Sequence, residues 1–368
     1  MMRICHVIAN LYAGGAQTFL VLLAIEQKKA GHEVSIVQID KFNHSQFEIF
    51  LVSQLKEYQI PLFTLERKAG KNFSIIKSFI LLDKVMKLCN PDIINTHLQF
   101  THLIVGIYLK LIKLGTVKAK YIATIHNAPE VWNKQTMLVN KHTASIYCSQ
   151  ASLQTSVVRD CPKAVILNGI KTPVVDDSAD KIIAEYCADP AHKLILMVGK
   201  LSYQKNYPLA VAIAKHYEQK NVSFLVCGIL EETTERDLAS FKTVSNMHYI
   251  GIKVPAEIYS LMDRCDCFLN TSHYEGLPIT VLEAFFIGTP CVLSPILPHN
   301  EIGLEMPDCY IPDSFLKNDF IEKIDEALNL DKAKKDIRSL REPVLKKYSI
   351  SQTAASYVEF YKSILIHG

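Results

Sequence analysis

Nowhere in this sequence of 368 residues do two cysteines stand in a CxxC pair, although the chain carries ten of them. Their one close pair, Cys265 and Cys267, sits in an apolar run, and Cys5, Cys148, Cys227 and Cys291 fall in or beside strand-like stretches. That is the usage of small buried hydrophobes in a reducing compartment, not of a disulfide framework or a zinc site. No stretch reaches the ~18 uninterrupted apolar residues that span a bilayer. The opening MMRICHVIANLYAGGAQ has too short an apolar run for a signal peptide and reads as a first strand, so the expected location is the cytoplasm. The pattern GxGxxG is missing, which removes the dinucleotide fingerprint and disfavours an oxidoreductase. Missing too is a DxD cluster placed to hold a metal, because Asp176 and Asp177 fall in a polar connecting stretch.

What is present describes a globular chain. Hydrophobic residues make up 49% and charged residues 21%, and the length suits two domains better than one core. The net charge of +3 does not call for a nucleic-acid partner. Its distribution is uneven: residues 1–170 hold 19 Lys and Arg against 10 Asp and Glu, while the remainder is acidic. A basic half joined to an acidic half points to a partner of anionic character on one side only.

Short β-branched runs alternate with longer segments of helical period. RICHVI, EVSIVQI, DIINTH, KYIATIH, SIYCS and AVILNG are strand candidates in the first half; KLILMVG, SFLVCG, MHYIGI, CDCFLNTS and PCVLS follow in the second. Strands separated by helices require crossover connections, hence parallel sheets with helices on both faces. The series breaks once, at NGIKTPVVDDSADK, residues 168–181. We expect two doubly wound, Rossmann-like α/β domains facing across a cleft: residues 1–170, residues 171–350, and a terminal helix at 351–368 that returns to the first domain. Ligands in such sheets bind beyond the carboxyl ends of the strands.

Three stretches fall at those ends. Gly14 and Gly15 open a helix that runs to about Ala30 and stops at Gly31, and two glycines there allow a ligand close to the backbone N–H groups. A plain strand-to-helix turn is the competing reading. Gly199 ends a strand, with Lys200 and Lys205 in the loop that leads to a helix near Pro208. Two ammonium groups suit a diphosphate, or they are simply solvated loop lysines. In HYEGLPITVLEAFFIG, Glu275 lies in a loop and Glu283 over a turn into a helix that Pro278 begins and Gly288 stops. Eight helical residues would separate the carboxylates by ~12 Å, against the ~5–5.5 Å of a retaining glycosidase pair. A ligand clamp fits better than acid–base hydrolysis: N–H groups near Leu277 to Thr280 for phosphate, and acceptor-only carboxylates for sugar hydroxyls.

EGLPITVLE resembles the Glu-x7-Glu signature of retaining glycosyltransferases of the GT-B fold, specifically the glycosyltransferase family 4 (glycosyl transferases group 1) type. GGAQ, NTH, IHN, ILNGI, VGKLSYQKN and SHYEGLP stand around it in the family's order, and YSISQTAASYVEFYKSIL resembles its terminal helix. The resemblance implies that Gly15 offers its N–H to the donor diphosphate with Gly14 giving room, and that Lys205 and Lys200 bind that diphosphate. Lys200 stands where an arginine is more usual, which keeps the charge and loses the bidentate fork. It implies further that Glu283 holds the ribose and that Glu275 contacts the transferred sugar with the N–H groups of Gly276 and Leu277. Pro278 and Ile279 complete that loop. His126 is placed at the sugar's 6-hydroxyl and the reaction centre; His97, Asn168 and Glu301 are secondary candidates. Two departures are SPILPHNEIG in place of a Gly-Gly loop and Gln17 in place of a frequent glutamate.

The implied activity is sugar transfer with retention, without a metal or other cofactor. A nucleotide diphosphate sugar, uridine preferred over guanosine, gives its sugar to a hydroxyl of a glycan or lipid-linked acceptor in bacterial polysaccharide, lipopolysaccharide or glycolipid synthesis. Same-face attack, with the leaving phosphate oxygen taking the proton, and a covalent intermediate both remain open. ERKAGKNFSIIKSF (66–79) and GIYLKLIKLGTVKAKY (106–121) mix lysines with large apolar residues and suit peripheral contact with an anionic membrane surface; lysines snorkelling from inward-packed helices are the alternative. A GT-B nucleotide-sugar 2-epimerase and a catalytically silent nucleotide-sugar-binding scaffold are the alternative functions. On the transferase reading, Lys205→Ala loses turnover far more than stability.

Overall fold

A computed structural model describes residues 1–12, 14–68, 75–111, 118–127, 143–154, 161–186, 189, 192–230, 239–330 and 334–367. The chain divides into two compact units, Met1–Ile170 with Tyr348–Gly368, and Lys171–Lys347. The second unit runs to Lys347, and just beyond it Ser349 forms a parallel bridge with Ile170 in the first unit.

Among the described residues, the first unit is built on a seven-stranded sheet in the order β3-β2-β1-β4-β5-β6-β7. The strands are β1 Arg3–Ile8, β2 Glu33–Asp40, β3 Leu62–Arg67, β4 Ile93–His97, β5 Lys120–Ile125, β6 Ala144–Tyr147 and β7 Lys163–Val165, all paired in parallel. Helices α1 Gly15–Lys29, α2 Gln46–Glu57, α3 Ile75–Cys89, α4 Gln99–Leu111 and α5 Gln150–Gln154 connect them. Alternation along each strand decides what faces which layer. Ile4, Ile93 and Ile122 pack with Phe19 and Leu23 of α1 and with the terminal helix, whereas Cys5, Val7, Ile94 and Tyr121 pack with α3 and α4. His6, His97 and His126 therefore share the face under α1.

The second unit carries a six-stranded parallel sheet, β10-β9-β8-β11-β12-β13, from β8 Lys193–Val198, β9 Val222–Cys227, β10 Met247–Tyr249, β11 Cys267–Asn270, β12 Cys291–Leu293 and β13 Cys309–Tyr310. Its helices are α6 Asp180–Tyr186, α7 Tyr207–His216, α8 Pro255–Arg264, α9 Ile279–Ile287, α10 Leu297–Gly303, α11 Lys317–Leu328 and α12 Lys334–Leu345. One face of the sheet packs on Tyr207, Ala210, Ile213 and Ala214 of α7 and Phe320, Ile324 and Ala327 of α11. On α9, Ile279, Val281, Leu282, Glu283, Ala284, Phe285 and Ile287 are all buried, so this helix runs through the core as its nearly continuous apolar sequence requires. Pro278 takes the N-cap position rather than the first turn, and Gly288 caps the other end at φ 92°.

A buried arginine fixes α9. Arg341 of α12 donates to the carbonyls of Phe285 (2.8 Å), Thr289 (2.9 Å) and Ala284 (3.2 Å), and its guanidinium also pairs with the buried Asp308. The same carbonyls of Ala284 and Phe285 also accept from the backbone N–H groups of Gly288 and Thr289, so the guanidinium adds side-chain donors to an end the backbone already caps. The connecting stretch after Ile170 is anchored as well: Ser260 of α8 donates to Asp176 O at 2.6 Å, and Arg264 pairs with Asp177 and Asp180. Helix α13, Ile350–His367, returns to α1 and packs Tyr357, Tyr361 and Ile364 into the first unit's core.

Nine of the cysteines are described, all as free thiols, with Cys5, Cys148, Cys227, Cys265, Cys267 and Cys291 buried. No described helix is long and apolar enough to cross a membrane.

Candidate functional site

In the second unit, two loops leave the carboxyl ends of adjacent strands β8 and β11 and are laced together. After Gly199, exposed Lys200 leads through one 3-10 turn, Tyr203–Lys205, to Asn206 at φ 53° and into α7. The side chain of Lys205 folds back over Gly199, where a Cβ would stand 2.7 Å from its Cε. Gly228, ending β9 at φ 151°, passes so near that a Cβ there would meet Gly199 O at 1.8 Å. A larger residue at Gly199 would displace the lysine, and one at Gly228 would collide with the Gly199 backbone.

Lys205 Nζ reaches Glu275 Oε1 at 2.6 Å. Ser272 Oγ donates to the same oxygen at 2.7 Å, and Gln204 Nε2 donates to Glu275 Oε2 and to Tyr274 O, both at 3.0 Å. The backbone completes the seam: His273 N donates to Gln204 O at 2.8 Å and Thr271 Oγ1 to Lys205 O at 2.8 Å. Burial alone would push the Glu275 carboxyl up. The Lys205 ammonium, by charge and by hydrogen bond, and the Ser272 hydroxyl outweigh it and hold the group below the ordinary carboxylate range.

His299, on α10 after β12, was not among the residues singled out from sequence. Its Nδ1 lies 2.9 Å from the Ser294 carbonyl, which can only accept, so Nδ1 carries the hydrogen. Nε2 is then a lone pair, and it is buried with no protein partner. Burial presses this imidazole down to about 4. Ser294 Oγ donates to Ser272 O at 2.6 Å, which ties the exit of β12 to the Glu275 loop. The signal in the sequence is a histidine in the loop after a strand, at the same sheet edge as Glu275 and two residues before half-buried Glu301.

Glu283 is not part of that network. Its Oε1 accepts from the hydroxyl of Tyr259, on α8, at 3.0 Å. Burial drives its carboxyl up to about 7, and the Tyr259 hydrogen bond recovers only part of the cost. Between the two glutamates, Gly276, Leu277, Pro278 and Ile279 are all buried, and the start of α9 has no side-chain cap.

The first unit has its own constellation. Gly14 is the N-cap of α1 at φ 141° and Gly15 its first residue; both are exposed, while Gln17 is buried beneath them. His97 ends β4 and His126 follows β5, both buried, with His97 Nδ1 2.9 Å from His126 Nε2. His126 also meets the Phe19 ring edge-on, at 5.5 Å between centroids. Asn168, beyond β7, is buried with Oδ1 unpartnered. Lys205 with Glu275 and His97 with His126 are thus brought into contact, whereas Glu283, Asn168 and the Gly14–Gly15 pair take no part in those two contacts.

Residues 13–172 match the model of "Glycosyltransferase Family 4" and residues 178–340 that of "Glycosyl transferases group 1". The chain is 24% identical over 298 residues to a Campylobacter jejuni α-1,4-N-acetyl-D-galactosaminyltransferase whose name specifies a diphospho-undecaprenol-linked acceptor, covering 78% of this chain and 77% of that protein. It is 23% identical to the Escherichia coli UDP-Gal:α-D-GlcNAc-diphosphoundecaprenol α-1,3-galactosyltransferase, covering 73% and 76%. Among solved structures, Anabaena HepE in complex with UDP and glucose superposes with a TM-score of 0.80 at 16% identity, over 99% of this chain and all of that one. Sucrose-phosphate synthase from Thermosynechococcus elongatus superposes at 0.77 and 14% identity, over 100% of both chains.

Two stability measurements probe the second unit. Lys205 cannot be removed at little cost to the fold, as its place in a loop had suggested, because Glu275 would be left buried and uncompensated. Lys205→Ala should lower unfolding stability by about 3–5 kcal/mol, and Lys205→Met with Glu275→Gln should restore most of it. A double variant no more stable than the single one would show that the charge is not what holds the loops. For Glu283, the folded chain keeps a proton between its ordinary 4.5 and about 7 that the unfolded chain has lost. Raising the pH through that window therefore favours unfolding. Glu283→Gln should stabilise the protein at pH 8 on the order of 2–3 kcal/mol and change little at pH 4. Equal shifts at both pH values would remove this account of Glu283.

Proposed function

This chain belongs to the family 4, group 1 glycosyltransferases of the GT-B fold, and we propose that it moves a sugar, with retention of anomeric configuration, from a nucleotide diphosphate sugar to a hydroxyl of a lipid-linked glycan acceptor. The donor is a uridine diphosphate sugar and the setting is bacterial surface-glycan synthesis, polysaccharide, lipopolysaccharide or glycolipid. The observation that carries the reading is the buried Lys205–Glu275 pair at the mouths of β8 and β11, where open parallel sheets bind ligands. Two relatives whose names specify undecaprenol-linked sugar acceptors, one with a UDP-galactose donor, support the substrate class.

The roles follow from what each group can do. Lys205 has three N–H bonds and directs one at Glu275, which leaves donors for a diphosphate beside Lys200. Glu275 accepts from hydroxyls of the transferred sugar. The N–H groups of Gly276 and Leu277 lie in the same loop; Pro278 has none to offer, so it shapes the turn, and Ile279 supplies the first amide of α9. Glu283, costly to ionise in its present surroundings, gains two hydroxyl donors from a ribose diol and ionises with them in place. In the first unit, Gly15 offers its amide to phosphate with room from Gly14, and His126 takes the sugar's 6-hydroxyl; His97, Asn168 and Glu301 support.

In the transfer step the bond from the anomeric carbon to the phosphate oxygen breaks, and the acceptor oxygen bonds to that carbon from the same face. The acceptor's proton goes to the departing phosphate oxygen. Ammonium groups and helix N–H dipoles take the charge that a metal carries in other enzymes; among the described residues no group of three or more His, Cys, Asp or Glu is placed to hold one.

We further propose that the first unit meets an anionic membrane surface from the cytoplasmic side. Of the basic stretches, residues 69–74 and 112–117 lie outside the described residues. On α3, Ile76, Ile80 and Leu88 are exposed and interleave with exposed Lys77, Lys84 and Lys87. On α4, Leu111 is exposed beside Lys110. Apolar insertion combined with cationic attraction is the chemistry of interfacial binding.

A thermal-shift panel of nucleotide sugars tests the donor assignment: one uridine donor at a hundredfold its dissociation constant should stabilise the fold by about 2.7 kcal/mol, and slow release of nucleotide without acceptor should follow. Binding with no release or transfer would leave a scaffold, and a product of inverted configuration would end the retaining mechanism. For the membrane, vesicles with anionic lipid should co-sediment the protein at low salt and release it at high salt, and Ile76→Ser with Ile80→Ser should weaken binding at least about tenfold, since full burial of each isoleucine is worth about 1.5–3 kcal/mol and insertion is partial. Sedimentation indifferent to lipid charge and salt would sink this assignment.

A further inference from the structure

Four polar side chains form a hydrogen-bonded line across the core of the first unit, with the Asn95 side chain beside His6. Gln27 of α1 sets its Oε1 2.7 Å from His6 Nε2 on β1. His6 Nδ1 lies 3.0 Å from His97 Nε2, and His97 Nδ1 lies 2.9 Å from His126 Nε2. The file ends at His126 Nδ1, which is buried with no protein partner. β1, β4 and β5 are neighbours in the sheet, and the alternation that points Ile4, Ile93 and Ile122 toward α1 points these three rings the same way. Leucine or phenylalanine would fill such a core at less desolvation cost, so a polar file of this length calls for another reason.

A neutral imidazole has one donor nitrogen and one acceptor, so each ring fixes its neighbour. Gln27 Oε1 can only accept. His6 must then carry its hydrogen on Nε2 and accept at Nδ1; His97 must donate from Nε2 and accept at Nδ1; His126 must donate from Nε2. All three rings adopt the Nε2–H form, which is also the favoured tautomer of free histidine, so the reverse direction would set all three against their own preference. A second proton on His6 or His97 would set two donors face to face. Burial works in the same sense and holds His6 and His126 near about 4, with His97 well below its ordinary value.

We propose that Gln27, His6 and His97 are positioning residues that lock His126 as the Nε2–H tautomer, so that Nδ1 meets a hydroxyl of the bound sugar as a hydrogen-bond acceptor. The role of the hydroxyl rests on the assignment of His126 given above; the tautomer does not. Gln27 touches no ligand in this account. Its effect passes through two intervening rings.

Nitrogen-15 NMR of the histidine-labelled full chain at pH 7.5 reads the tautomer directly, with the His126 signals identified by their loss in His126→Asn. A protonated Nε2 and an unprotonated Nδ1 are expected. Gln27→Met, similar in volume but without the acceptor, should shift His126 toward a mixture of tautomers and lower kcat about three- to tenfold, the size of one weakened hydrogen bond. An Nδ1–H signal in the wild-type protein, or an unchanged His126 tautomer in Gln27→Met, would overturn the proposal, and the wild-type spectrum decides even where the variant folds poorly. Full turnover in His126→Ala would instead remove the sugar assignment and leave the tautomer lock standing.

Discussion

The contact between Lys205 and Glu275 governs the second unit's site, because it settles two loops at once. Neither charge is well hydrated: their side chains keep 16% and 8% of their exposure. Removing two such ions from water costs several kcal/mol each, and attraction between them repays that only when further hydrogen bonds complete the shell. Ser272 and Gln204 supply those bonds from either side of the carboxylate, and the backbone bond from His273 to Gln204 holds the donors in register. The pair is therefore a poor device for stability and a good one for placing an ammonium group at a strand mouth. Its surroundings are dry enough to strengthen any charge interaction made there.

That placement has a support behind it. The loop that carries Glu275 continues into α9, and a short apolar helix has little hold on its own orientation beyond packing. Arg341 provides the hold by donating to three carbonyls around the helix C-terminus while Asp308 neutralises it. A guanidinium is suited to this task because its donors are fixed in a plane; a lysine could not satisfy the same set. Glycine 199 and glycine 228 do for Lys205 what Arg341 does for α9: they leave room, in backbone, for one conformation of one side chain. The site is specified from behind by groups that no ligand would touch.

Much of this was legible in the sequence, and the gaps have physical causes. Buried parallel strands such as RICHVI and KLILMV read as continuous β-branched runs, and their boundaries came out within a residue or two. LFTLER does not stand out as a strand because β3 is an edge strand with a half-exposed, mixed pattern, and β13 spans only two residues. Gly14, Gly15, Lys205, Glu275 and Glu283 could be chosen because each residue type has few uses at a strand-to-helix junction. The partners could not. Nothing local to Tyr259, Gln204, Gln27 or His299 links them to a glutamate or a histidine tens of residues away; only the fold makes them neighbours. For the same reason the sequence leaves Lys205 open between a diphosphate ligand and a solvated loop lysine, because its burial depends on a carboxylate supplied by another strand.

Several buried polar groups are left at a disadvantage inside these units, Asn168 Oδ1 and Gln27 Nε2 among them, and three more bear on the site. His126 Nδ1 and His299 Nε2 are buried lone pairs without donors, and Glu283 sits where ionisation is costly. Each lacks hydroxyl hydrogens, not apolar contact and not an anion. A polyhydroxylated ligand carries hydroxyl donors in abundance, whereas a free phosphate or a hydrocarbon carries few or none. Leaving such groups unsatisfied costs about 1–3 kcal/mol apiece, and a ligand that satisfies them recovers that cost as binding free energy. Analogues lacking a single hydroxyl would forfeit it, so the same deficit that weakens the empty protein confers discrimination. The ammonium groups and helix amides recognise charge and cannot tell one sugar from another. On the proposed transferase reading, selectivity between sugars would reside in the buried acceptors, whose geometry is fixed by Ser294 for His299 and by Tyr259 for Glu283.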